Sequence, residues 1–120
     1  MMAARPLSVT VIAWSYILVG IVGFAYHVPE LRSDPGLQTS IVLLVRLLAI
    51  IIGAAMLQGS WWARPAALVW LAYHVGLGAL HSWGDALMHL LLLAVFTFLL
   101  LRPSAGAYFR GAAAAGRAGA

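Results

Sequence analysis

The stretch LAYHVGLGALHSWGDALMHL, residues 71–90, sets His74, His81, Asp85 and His89 in an otherwise apolar run. Their successive intervals of seven, four and four are helix-face spacings, so a shared site is conceivable. Arg46 stands alone in a second apolar run, VRLLAIIIG, and His27 closes a third. Imidazoles could ligate zinc, hold a haem or a (bacterio)chlorophyll axially, or bond a carbonyl oxygen. A guanidinium could hold an anion, a carboxylate or a ligand carbonyl. The chain has no cysteine, which excludes disulfides, thiolate-held zinc, iron–sulfur clusters and thiol redox chemistry. Ser15, Ser40, Ser60 and Ser82 lie in no nucleophile-elbow context, so hydrolysis finds little support.

What these residues can do depends on the medium around them. Of 120 residues, 64% are apolar and 8% charged, against roughly 45–50% and about 25% in a soluble domain. Charge that sparse cannot cover the surface of a soluble fold this small, so the expected medium is a bilayer. A membrane helix needs about 20 apolar residues, and the chain has four such runs: 7–27, 37–57, 62–81 and 85–101. The breaks HVPELRSDPG, QGSWWARP and HSWGD carry turn chemistry, and Pro103 stops the fourth run. The first run, after Arg5, is longer than a signal peptide's apolar core and reads as a retained helix. The expected fold is therefore an all-α membrane protein, an up-down-up-down bundle of four transmembrane helices. Residues 1–6 form a cytoplasmic N-terminus. Residues 103–120 form a cytoplasmic interfacial segment and a loose Ala/Gly-rich tail.

Orientation follows from the arginines. Arg5, Arg64, Arg102, Arg110 and Arg117 share one side of such a bundle, and Arg32 alone falls in a loop on the other. The positive-inside rule then places both termini in the cytoplasm, with Glu30, Asp34 and Asp85 outside. Trp61, Trp62, Tyr108 and Phe109 fit an inner aromatic belt, and Tyr26 and Trp83 an outer one. The arginines are scattered rather than clustered, which argues against nucleic acid as a partner. Small-residue pairs Ala49/Gly53, Ala63/Ala67 and Ala72/Gly76 would let helices approach closely, although Ala and Gly are abundant here.

Depth sorts the polar residues. With the outer boundary near His81, His74 lies about 10 Å deeper and Arg46 about 12 Å deep on its own helix. They share a level, while His27, His81 and His89 sit at the outer boundary. An arginine inside a membrane helix costs roughly 2.5–3.5 kcal/mol on insertion scales and usually faces the bundle interior. The plain alternative is that Arg46 snorkels to headgroups or bonds outer carbonyls and acids. For His74 and His81 the plain alternative is a neutral ring bonded to a backbone carbonyl. Asp85 suits an N-cap, with His89 receiving its charge. Zinc needs ligands converging at about 2 Å, and His74 lies too deep to join His81 and His89. A bis-histidine haem needs two rings at one depth on facing helices, which His74 and His27 or His89 reach only if boundaries shift. A di-iron carboxylate centre lacks its glutamates. A quinone-type ligand demands less, an apolar slot with one or two polar groups. Arg46 and His74, flanked by Trp14, Trp70 and Tyr73, offer that.

The pattern VRLLAIIIGAAMLQGSWWARPAAL, with Gly20 and Gly23 late in the first run, resembles the DoxX-like group of small bacterial membrane proteins. The likeness spans roughly residues 8–102. It implies four helices, a polar residue inside the bundle at Arg46, a short basic loop after the second helix and, from the group's named members, a quinone-linked redox setting. The histidines are not part of that likeness. The expected protein is an accessory subunit of a membrane redox complex, without catalytic activity of its own. It would contact lipids, other membrane subunits and a quinone. Competing expectations are a structural scaffold, a haem- or chlorophyll-binding subunit and an oligomeric transporter.

Overall fold

The computed structural model describes the backbone of residues 4–118 and the side chains of residues 4–112. Residues 1–3 and 119–120, the extremes of the two expected cytoplasmic ends, lie outside the described residues. All regular structure among the described residues is α-helical: α1 (Leu7–His27), α2 (Glu30–Ser33), α3 (Leu37–Leu57), α4 (Ala63–His81), α5 (Trp83–Leu100) and α6 (Pro103–Ala118). The segments Leu7–Ser33, Leu37–Leu57 and Trp83–Leu100 are long and apolar enough to cross a membrane. Helix α4 is of similar length, but Arg64, His74 and His81 dilute its apolar run.

Local chemistry sets the breaks. Helix α3 ends in a full Schellman motif, in which Gly59 N–H donates to Met56 O and Ser60 N–H to Ala55 O (3.0 and 2.9 Å). Gly59 takes φ +72° there, a left-handed conformation that a side chain would strain. Between α4 and α5 only Ser82 intervenes, in extended backbone. Its Oγ accepts from the Asp85 N–H at 3.1 Å. The N-cap of α5 is therefore Ser82 and not Asp85, because the hydroxyl sits where an orphan amide of the first turn can reach it. The turn is shorter than HSWGD suggests, and α5 starts at Trp83, two residues before the expected 85.

The segment 103–118 is a helix and not a loose tail. Pro103 occupies its first position, where a missing N–H costs nothing. Tyr108 and Phe109 are buried rather than forming a belt, because α6 folds back against the ends of the long helices. The Tyr108 hydroxyl donates to the carbonyls of Met56 and Leu57 at the end of α3, which also accept from Gly59 N–H and Arg5 Nη1 respectively. Trp61, Tyr26 and Trp83 remain exposed.

The long helices pack as two antiparallel pairs. In α1/α3, a Cβ on Gly20 would strike Ile50 and the Arg46 carbonyl, and one on Gly53 would strike Ile17 and the Ala13 carbonyl. The backbones thus touch along much of their length, as small residues allow in lipid. At one end of this pair, Arg5 Nη1 donates to Leu57 O at 2.9 Å. Helices α4 and α5 repeat the device, with Arg64 Nη1 donating to Leu100 O at 3.2 Å. Ala63 and Ala67 are fully buried, whereas Ala72 is exposed and Gly76 faces open space.

Two side chains tie the pairs together: Tyr16 Oη donates to Ala67 O (2.6 Å) and Trp70 Nε1 to Val45 O (3.0 Å). The core, including Val9, Ile12, Met56, Leu100 and Phe109, gathers at the α6 end. Beyond Leu71 the one buried residue of α4 is Gly78, which faces α5 and leaves the Ser82 end open between the pairs. Outward, Val22, Val69 and Phe98 are 65%, 68% and 67% exposed. Apolar surface on that scale belongs against lipid rather than water.

Candidate functional site

The opening between the two helix pairs holds a cavity of about 440 Å³, within the range of roughly 300–1,000 Å³ typical of small-molecule sites. Tyr16 of α1, Arg46 of α3, Trp70 and His74 of α4, and His89 and Phe96 of α5 all face it. Arg46 and His74, expected at one level, thus share a single cavity. His89 joins them, against its expected place at the outer boundary. The reason is the one-residue turn: His74 lies eight residues before Ser82 and His89 seven after it, so they meet across the α4/α5 seam. Their ring centroids are 5.8 Å apart with planes inclined by 27°.

Each imidazole is held by its own helix. His74 Nδ1 bonds Trp70 O at 2.9 Å, and His89 Nδ1 bonds Asp85 O at 2.8 Å. A carbonyl oxygen only accepts, so in each neutral ring the Nδ1 carries the hydrogen and Nε2 keeps its lone pair. Trp70 stacks on His74 with centroids 3.8 Å apart. Tyr16 packs on Trp70 at 5.2 Å and on Phe96 at 6.2 Å. Phe96, Tyr16, Trp70, His74 and His89 therefore form one continuous aromatic wall. Because Trp70 is fastened to Val45 O, beside Arg46, that wall is tied to α3.

Arg46 extends over α1 at Gly23, where a Cβ would come within 2.6 Å of Arg46 Cδ and 2.8 Å of Nε. The missing side chain makes the notch in which the arginine lies. Arg46 also borders two neighbouring hollows. One is a groove of about 480 Å³ shared with Tyr26 and His27, and the other a recess of about 110 Å³ shared with Tyr73 and His74. Among the described residues no carboxylate pairs with Arg46; the ion pairs there are His27 Nδ1 with Glu30 Oε1 (3.1 Å) and His81 Nε2 with Asp85 Oδ2 (3.6 Å). The guanidinium brings uncompensated charge to a largely apolar cleft.

The other expected residues separate from this cluster. His81 is 81% exposed and faces away with Asp85, whose carboxylate pairs with it and not with His89. His27 belongs to the groove along α1, and Tyr73 to the small recess, edge-on to His74 at 5.5 Å. Trp14 is half exposed and does not line the cavity, since its position on α1 faces outward. Tyr16, Phe96 and Met88 line the cavity without a sequence signal of their own, and Ser15 lines it too. Ser82, Trp83, Gly84 and Asp85 form a Ser-x-x-Asp capping pattern. That pattern was the signal that could have placed His89 correctly. Among the described residues no three of His, Asp and Glu converge as a metal ion would need.

The arrangement offers one cationic donor, two imidazole acceptors and an aromatic wall, in a partly open cleft. No family model matches the chain, and no curated protein or solved structure is similar to it.

Proposed function

We propose that this chain is a small bacterial inner-membrane protein whose cleft binds a quinone-type ligand, and that it serves as an accessory subunit of a membrane redox complex. In this reading α1, α3, α4 and α5 cross the membrane up-down-up-down, with both termini and α6 in the cytoplasm. The arginines favour that direction: Arg5, Arg64, Arg102 and Arg110 gather toward the α6 end, and Glu30, Asp34 and Asp85 toward the other. The α4 helix, too polar to be read as a span alone, crosses in this reading with His74 turned into the cleft, Arg64 bonded to the Leu100 carbonyl at one end and His81 at the other. The DoxX-like resemblance points the same way.

One observation carries the reading: Arg46, His74 and His89, on three helices, converge on one aromatic-walled cavity. Arginine costs too much in lipid to be kept there idly, and among the described residues it has no carboxylate partner. A flat head group fits against Trp70 and Tyr16, its oxygen on Arg46, and its tail leaves toward lipid. In this reading the chain binds the head group and hands it over within the complex. A haem held by His74 and His89 would need its macrocycle between α4 and α5. There, one turn away, Gly78 already packs on the Ala86 backbone.

The test is equilibrium binding of a short-tailed quinone to the protein in nanodiscs. The account expects saturable binding, lost on Arg46→Leu while the helical spectrum is kept. Unchanged binding by Arg46→Leu rejects the pocket, and a visible absorption band in the purified protein would favour haem or pigment instead.

A further inference from the structure

We infer that the cleft prefers an aromatic head group in its hydroxyl form, a hydroquinone, over the same head group in its carbonyl form. This deepens the quinone reading and rests on it. The polarity of the three groups carries the inference. His74 and His89 both spend their Nδ1 hydrogens on backbone carbonyls, at 2.9 and 2.8 Å. Neutral imidazole has a single N–H, so each ring offers the cavity an acceptor and no donor. Arg46 has donors only. The cleft thus presents two acceptors and one cation.

A quinone brings only acceptors. Its carbonyl can take a bond from Arg46, but its other oxygen faces imidazole lone pairs that it cannot satisfy. A hydroquinone brings hydrogens as well. One hydroxyl can donate to one histidine Nε2 while its oxygen still accepts from Arg46, so the cation and one acceptor are matched together, and the second hydroxyl brings a hydrogen for the other acceptor. A ring flip would set a C–H against the carbonyl and give up the Nδ1 bond, at 2.9 Å for His74 and 2.8 Å for His89. The two rings reach the same polarity independently, on different helices. Buried polar groups left without complements lose most of their binding contribution, which is how a site tells a hydroxyl from its absence.

The experiment titrates the full chain in nanodiscs with one short-tailed benzoquinone and, under anaerobic reductant, with its hydroquinone. The expected result is hydroquinone binding at least about tenfold tighter, the worth of one or two neutral hydrogen bonds. Replacing both rings, His74→Phe with His89→Phe, should bring the ratio close to one while quinone binding persists through Arg46. Should that variant fail to fold, ¹⁵N spectra of the wild-type histidines decide instead, with Nδ1–H and a bare Nε2 expected in both. Equal or tighter quinone binding, or Nε2–H rings, overturns this inference and leaves the pocket standing. If neither form binds, the pocket itself falls and this inference with it.

Discussion

The notch at Gly23 makes a sharp prediction for Gly23→Ala. An added Cβ would stand 2.6 Å from Arg46 Cδ and 2.8 Å from Nε, where carbon atoms normally approach to about 3.5–4.0 Å. Something must move by roughly 1 Å, and it will be the arginine, because the clash falls on its flexible stem rather than on backbone. Stability should change little. Alanine gains about 0.4–1 kcal/mol over glycine in a compatible helical position, which offsets the repacking. The ligand contact should suffer more. A hydrogen bond from a charged donor contributes about 1.5–3 kcal/mol, so its misplacement should weaken quinone binding roughly ten- to hundredfold. Titration in nanodiscs reads the affinity, and thermal unfolding followed by circular dichroism reads the stability. A variant that binds like wild type, although Arg46→Leu does not, would show that the arginine does not depend on this seat. A large loss of stability with affinity intact would refute the reasoning equally.

Two further substitutions test the elements that hold the site. Tyr108→Phe removes the hydroxyl that bonds Met56 O and Leu57 O, and should cost about 1–2 kcal/mol of α6 docking. Hydrogen exchange should speed up throughout α6 and stay unchanged in the middle of α3; uniform exchange would contradict the contact. Ser82→Ala removes the cap of α5 and should cost about 1 kcal/mol. That loss would appear as a lower melting temperature and faster exchange of the Asp85 amide, and an unaltered amide would contradict the cap.

Much of the framework was legible because lipid imposes a simple length rule. The runs at 7–27 and 37–57 have the bounds of α1 and α3, since a proline-rich loop and Gly59 end them unambiguously. The pairing of Arg46 with His74 was legible from depth alone. His89 was misplaced because residues 82–84 were given to a turn that needs only Ser82, and that shift hides the His74–His89 contact. The helix at 103–118 was obscured by its composition, since Ala and Gly in sequence read as loose chain. Pro103, and the pair Tyr108 and Phe109, were the available hints. Tyr16 and Phe96 could not be found by pattern, because a membrane helix is apolar on both its lipid-facing and its inward faces. Periodicity cannot separate the two, and only the packing does.

The most direct measurement is photoaffinity labelling of the protein in nanodiscs by a quinone bearing a photoreactive group on its ring, with the modified residues mapped by mass spectrometry. The account predicts label on the wall of the cleft, at Tyr16, Val19, Trp70, His74 and His89, competed away by unmodified quinone. Label confined to the outward face of α5, around Leu87, Leu91 and Val95, or label that competitor does not reduce, would contradict it.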